Sequence, residues 1–346
     1  VPKDGKPWYF LEEWYPGYGN LVPRDIATRA IYKVVYELKL GVDGQPMVYL
    51  DLTHKDPEEL DRKLGGVLEI YEKFVGADPR KVPMKVFPAM HYTMGGLWVD
   101  YEQRTNVPGL LAAGECEFAY HGANRLGANS LVSCIFGGFV AGRTAGQYVK
   151  GLSSGAADVP SSLVDIEVRR HQAINEALLA LSGRENPYVL AREMGDWMAE
   201  HVTVVRYNAN LRKTDAKLEE LLERWKRLDM ADTSRWGNQT LVFARQLKNM
   251  LELARVITLG ALARDESRGA HYKPEFPKRD DANWLKTTLA RYTPEGPVFE
   301  YRPVDVSVIP PRERKYEAGP TAPAGAEAHP PADHPTVDHP VVHQKL

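Results

Sequence analysis

The run from His121 to Leu131 reads HGANRLGANSL and gathers an imidazole, an amide, a guanidinium and an Asn-Ser pair suited to a helix start. A guanidinium is planar and can bind a carboxylate through two parallel hydrogen bonds, which makes Arg125 the strongest anion-gripping side chain of the run. Upstream stands a second polar cluster, His91-Tyr92-Thr93-Met94-Gly95-Gly96, whose paired glycines allow backbone to approach a ligand closely. Between the two lies Gly109-Leu110-Leu111-Ala112-Ala113-Gly114-Glu115, read as a buried strand ending in one acid. The helix that Asn129 and Ser130 open would present free N–H groups and a positive dipole end, both favourable to negative charge. His121 and Asn124 are expected to shape the turn that presents Arg125.

Bulk composition narrows the function classes. With 346 residues, 43% hydrophobic and 26% charged, the chain reads as an ordinary globule of two or three domains. A net charge of −2 provides no broad positive field, so nucleic acid is not an expected partner. The 2 cysteines, Cys116 and Cys134, lack the spacing of a zinc or iron–sulfur site, and no metal site is expected within the chain. They are also too few for a disulfide framework, which fits a reducing compartment. No uninterrupted apolar run reaches the roughly 18 residues of a membrane span. The nearest segment, Ser130 to Val149, is rich in Gly and Ala and carries Arg143 and Gln147, so it is read as a closely packed internal helix.

Several elements must position these groups. Ile26, Ala30, Val34 and Leu38 recur at helical spacing over Asp25 to Leu40, with Asp25 as N-cap and Arg24 just outside. A strand is expected over Val48–Leu52 and a helix over Pro57–Val75, stopped by Gly76. These make a small α+β lobe. From Met90 to Gly151 short apolar strands and glycine turns lead into one long helix, as at the end of a dinucleotide-type α/β domain. Four helical segments follow between 161 and 266, the clearest carrying Leu218, Leu221, Leu222, Trp225 and Leu228 along one face. Asn186-Pro187 opens one of them, and Gly183 and Gly269 are read as helix stops. Trp284 to Arg291 and Pro297 to Val304 flank Pro294-Glu295-Gly296 as a β-hairpin. Residues 317–346 are rich in proline, poor in large apolar side chains, and expected to be a disordered tail. His329, His334, His339 and His343 lie there, with loose metal binding as a lesser reading than a solvated linker.

Taken together, HGANRLGANSL, HYTMGG, GLLAAGE, Val22-Pro23-Arg24-Asp25, Glu266-Ser-Arg268-Gly-Ala-His271 and Arg279-Asp-Asp-Ala-Asn-Trp284 resemble the flavoprotein subunits of succinate dehydrogenase and fumarate reductase. The resemblance covers all but the last thirty or so residues. It implies an α/β plus α architecture: residues 1–89 as part of a capping domain, 90–152 as the C-terminal part of an FAD-binding domain, 158–268 as a helical bundle and 269–316 as a hairpin-containing segment. It implies oxidation of succinate to fumarate with FAD as hydride acceptor. A dicarboxylate needs donors at both ends, and by the resemblance His91 and Arg125 bind its carboxylates. Arg24 matches the family's proton carrier. A guanidinium normally keeps its proton, so Arg24 must belong to a relay in a water-excluding, cation-crowded site. Glu115 is implied to face the ribityl hydroxyls, and Ser130 and Leu131 the isoalloxazine ring.

The implied partners are an iron–sulfur subunit and a membrane cytochrome b anchor, placing the chain peripherally at the cytoplasmic face of the inner membrane. No GxGxxG occurs; Gly17-Tyr-Gly19-Asn-Leu-Val22 lacks the third glycine. With Val1 in place of Met, the chain is therefore expected to be a fragment in which much of the FAD site is missing and which holds FAD poorly alone. Fumarate reduction, L-aspartate oxidation and a non-catalytic remnant stand as alternatives. The charges from Glu266 to Asp281 are expected to form a largely solvated belt, with no site residue among them.

Overall fold

The computed structural model describes residues 1–311, so the expected tail and the end of the hairpin segment lie outside the described residues. The described residues divide into two units, Val1–Ala89 with residues 306–311, and Met90–Asp305.

The first unit opens with a hairpin of β1 (Pro2–Lys3) and β2 (Lys6–Pro7), then α1 (Phe10–Trp14) and α2 (Arg24–Tyr32). Pro23 occupies the cap position of α2 and Arg24 is its first helical residue, which corrects the expectation that Asp25 caps the helix. The fixed φ of proline suits a helix start and Pro23 precedes the first turn. Beyond Tyr32 the helix widens into a π turn over Lys33–Glu37, where Leu38 N donates to Lys33 O at 2.9 Å. That turn carries an extra residue, so Ile26, Ala30 and Val34 are buried whereas Leu38 swings out. Phe10, Ala30, Val34, Val35 and Val48 form one small core.

Next, β3 (Val48–Leu50) pairs antiparallel with β4 (Met84–Val86), Tyr49 opposite Lys85. Leu52 falls outside β3, since the partner strand is only three residues long. Between them runs α3 (Pro57–Val75), whose cap Asp56 accepts from Glu59 N at 3.1 Å and whose end is turned by Gly76 at φ +77°. Only a left-handed residue closes the helix there, and glycine adopts that conformation without Cβ strain. Leu60 and Leu68 of α3 pack with Met84.

In the second unit the expected strands between Met90 and Ala128 do not form. Single bridges, Leu97 with Glu117 and Arg104 with Leu111, and a 3-10 turn over Gly114–Cys116 replace them. A strand is stabilised by ladder partners on its edges, and among the described residues GLLAAGE meets only that one bridge; Leu110 is half exposed. The chain then enters α4 (Asn129–Lys150). This helix is packed on one side only, where Ser133, Gly137 and Thr144 are buried, while Leu131, Val132, Ile135, Phe136 and Phe139 are exposed, correcting the closely packed internal helix expected there. A Cβ on Gly137 would lie 3.3 Å from Gln103 Oε1 and from Gly114 N, so glycine permits the 103–114 loop to press against the helix.

Four further helices build the largest core: α5 (Ser161–Leu179), α6 (Pro187–Met198), α7 (Asn208–Trp225) and α8 (Gln239–Ala263). Asn186 caps α6 by accepting from Tyr188 N at 2.9 Å, with Pro187 in the first turn. Leu178, Leu190, Leu218, Leu221, Leu247 and Leu251 interlock in the centre. Gly183 is not a helix stop, because α5 has already ended; a Cβ there would fall 1.8 Å from Arg227 O, so glycine serves a backbone crossing. After α9 (Asp281–Trp284), β5 (Lys286–Arg291) and β6 (Val298–Pro303) form the antiparallel hairpin. No described helix is long and apolar enough to cross a membrane.

Candidate active site

The site grows from the start of α4. Ala128 precedes the helix in a left-handed conformation, φ +63°, and no side chain caps the first turn. Ser130 and Leu131 are thus the second and third residues of a 22-residue helix whose initial N–H groups carry the positive end of its dipole. The side chain of Leu131 is 73% exposed.

One turn on, the Ser133 hydroxyl ties three elements together. It donates to Ser130 O at 2.8 Å, and both Tyr92 Oη at 3.2 Å and His121 Nε2 at 3.1 Å lie against its oxygen. A hydroxyl owns one proton, and here it is used on the Ser130 carbonyl. With that proton on the carbonyl, the oxygen can accept from Tyr92 and, in the tautomer protonated at Nε2, from His121. Burial, followed by the charge of Arg125, lowers the His121 pKa and keeps the ring neutral. The Tyr92 and His121 rings meet edge-on at 5.1 Å.

Tyr92, fixed in this way, is the platform for Arg125, whose guanidinium lies 5.3 Å from the ring centroid. Arg125 Nη1 donates to Leu126 O at 2.9 Å, whereas Nε is buried with no hydrogen-bond partner. A buried donor without an acceptor costs about 1–3 kcal/mol, more when charged. Such a group, on a half-buried arginine beside an uncapped helix start, is suited to an anionic ligand.

The other residues singled out by sequence are placed less uniformly. His91 is exposed; its neighbours Tyr92 and Thr93 are the ones engaged, Thr93 N donating to Glu115 Oε1 at 2.9 Å. Glu115 sits in an exposed 3-10 turn, not at a strand end, and its carboxylate pins the HYTMGG segment. Gly96 serves a backbone crossing, since its Cβ would lie 2.4 Å from Cys116 O and Leu97 N donates to that carbonyl at 2.8 Å. Arg24 belongs to the first unit, exposed at the start of α2, where Asp25 pairs with Arg29 at 3.7 Å. His121 and Asn124 do shape a turn, Asn124 N donating to His121 O at 3.3 Å. Sequence reasoning missed Ser133 and Tyr92; the signal for Ser133 was its spacing of four from Gly137 on the small-residue face of α4.

The expected solvated belt is instead a buried network. Glu266 is fully buried and accepts from Arg264 Nη1 at 2.6 Å, Arg268 Nε at 2.9 Å and Asp280 N at 3.0 Å. Lys273, equally buried, donates to Asp265 Oδ1 and Leu262 O, each at 2.9 Å. His271 accepts from Arg206 Nη1 at 2.5 Å and donates to Arg264 O at 2.9 Å. Burial, and then the Arg206 charge, push its pKa down to about 3. Opposite charges two residues apart satisfy one another, which is what makes their burial possible.

This combination of fold and uncapped helix start belongs to FAD-binding flavoproteins: a family model described as an FAD binding domain matches residues 1–131, and one described as fumarate reductase flavoprotein C-term matches residues 191–316. The succinate dehydrogenase flavoprotein subunit of Bacillus subtilis (strain 168) is 62% identical over 316 residues, 91% of this chain and 54% of its own length. The E. coli quinol fumarate reductase subunit FrdA superposes with a TM-score of 0.78 at 33% identity, over 88% of this chain and 54% of that one. Mycobacterium smegmatis Sdh1, solved in complex with UQ1, gives 0.68 at 31% identity, over 85% and 48%. The chain belongs to the succinate dehydrogenase/fumarate reductase flavoprotein family and spans about half the length of the relatives it matches. Its residues fit FAD, because the uncapped start of α4 and the exposed Leu131 offer N–H donors and an apolar face to a flat ring that gains negative charge on reduction.

Proposed function

We propose that the chain is part of the flavoprotein subunit of a succinate:quinone oxidoreductase, in which succinate is oxidised to fumarate. When bound, FAD supplies the two-electron acceptor. Arg125 binds one carboxylate through its fork, with the Tyr92 ring beneath it fixing the plane of the guanidinium. His91, exposed at the head of HYTMGG, reaches the other carboxylate once a ligand is present. Glu115, Ser130 and Leu131 are the cofactor-facing residues. Arg24, in Pro23-Arg24-Asp25, is the proton carrier; it passes its own proton to a relay before accepting the one released from substrate carbon. Fumarate reduction runs through the same groups in reverse.

Electrons leave through an iron–sulfur subunit and a membrane cytochrome b anchor, with this chain peripheral at the cytoplasmic face of the inner membrane. The names of its relatives, a quinol fumarate reductase and an Sdh1 bound to UQ1, support a quinone-linked complex. The observation that carries the reading is the buried, unpartnered Nε of Arg125 beside the uncapped helix. Succinate added anaerobically to the FAD-loaded complete subunit is expected to bleach the flavin absorbance. Bleaching by L-aspartate and not by succinate would assign the site to an amino-acid oxidase instead.

A further inference from the structure

The HGANRL loop is held at alternate residues by three different elements. His121 is tied to Ser133 of α4, Arg125 lies on Tyr92, and the Ala123 carbonyl accepts from Ala270 N at 2.9 Å. The last contact comes from the tight turn Arg268–His271, closed by Arg268 N to His271 O at 2.8 Å and His271 N to Arg268 O at 3.0 Å. At its tip Gly269 has φ +59°, and a Cβ there would stand 2.4 Å from Ala123 O and 2.6 Å from Ala123 C. No side chain fits at that position with the loop where it is. The turn itself is rigidly framed: Arg268 Nη2 bonds Glu266 at 3.0 Å and Asp281 at 2.6 Å, and His271 is wedged between Arg206 and the Arg264 carbonyl.

We infer that this turn is a clamp that sets the position of the dicarboxylate-binding arginine, with Gly269 as its positioning residue. The inference rests on the reading of Arg125 as the carboxylate ligand. Gly269 acts through backbone and not through a side chain of its own. It lets the turn meet the Ala123 backbone, two residues before Arg125, and any displacement there is transmitted to a guanidinium that works by its orientation. A misplacement of about 1 Å in such a group costs up to roughly 10²-fold.

The test titrates malonate, a dicarboxylate that cannot be oxidised to an alkene, against the FAD-loaded complete subunit by the change in flavin absorbance. Gly269→Ala is expected to weaken malonate by roughly tenfold or more. Gly237→Ala is the matched control, since Gly237 has φ +69° with nothing within 4 Å of an added methyl, and it is expected to bind malonate like wild type. Wild-type affinity in Gly269→Ala, or an equal loss in Gly237→Ala, would overturn the clamp. Should Gly269→Ala not retain FAD, Arg268→Lys decides: it keeps the charge and loses the fork that holds the turn, so several-fold weakening supports the clamp and unchanged affinity refutes it. Arg125→Gln separates the two levels. Unchanged malonate binding there removes the site itself, whereas lost binding there beside normal binding in Gly269→Ala removes the clamp alone.

Discussion

Two clusters of the second unit, Tyr92–His121–Arg125–Ser133 and the network from Arg264 to Asp281, are built from similar residue types yet end differently. In the network the central carboxylate of Glu266 faces two guanidinium groups and a backbone N–H. In the cluster, neutral groups are matched to one another through the Ser133 hydroxyl, and the one cation is left with a buried N–H that nothing accepts. A saturated set of charges holds a fold in place; an unsaturated one is prepared for a ligand. The contrast separates residues that resist unfolding from those proposed to bind.

Breaking the network should show the largest effect on stability. Glu266→Ala leaves Arg264 and Arg268 facing each other in a buried place and is expected to lower unfolding stability by about 3–5 kcal/mol, read by urea denaturation. Breaking the cluster should instead act on binding. Arg125→Ala is expected to lower kcat/KM for succinate by about 3–4 kcal/mol, on the order of 10²–10³-fold, with unfolding stability unchanged or slightly higher because the orphaned N–H is gone. Equal losses of stability and catalysis in both variants would erase the distinction.

Acid should probe the network before the cluster. His271, held down to about 3, is neutral in the fold and protonates near 6.5 when unfolded. Its contribution is fully present above about pH 6.5 and is lost as pH falls toward the folded value, by up to about 2 kcal/mol between pH 6.5 and 5. His271→Gln is expected to flatten that limb of the stability–pH curve. Glu193, lowered to about 2 chiefly by its hydrogen bond to Arg224, adds a second loss as pH falls from about 4.5 toward 2. The smallest effect is Ser133→Ala, which strands the Tyr92 and His121 donors and is expected to weaken succinate binding by about 1 kcal/mol, roughly fivefold in Kd.

Helices bounded by local signals were legible in the sequence. Asp56, Pro57 and Gly76 bracket α3, and Asn186 with Pro187 starts α6, because caps act within a few residues of the element they end. GLLAAGE was misread as a strand, since pairing depends on residues elsewhere and hydrophobicity does not reveal whether an edge has a partner. The same limit hid the solvent-facing side of α4 and the burial of Glu266 and Lys273. Within the candidate site, Arg125 stood out in the sequence by its chemistry, and its buried Nε is the observation behind the proposal made for it. Ser133 did not, because its importance lies in the two side chains, Tyr92 and His121, that converge on its one oxygen. Gly269, taken for a helix stop, proved to be a close backbone contact with Ala123.

The central claim is tested most directly by a crystal structure of the FAD-loaded complete subunit with bound malonate. A carboxylate oxygen within about 2.7–3.2 Å of Arg125 Nε, with the Tyr92 ring still beneath the guanidinium, is the predicted result. Malonate bound elsewhere while Nε stays without an acceptor, or Nε turned onto a protein carboxylate, would contradict it.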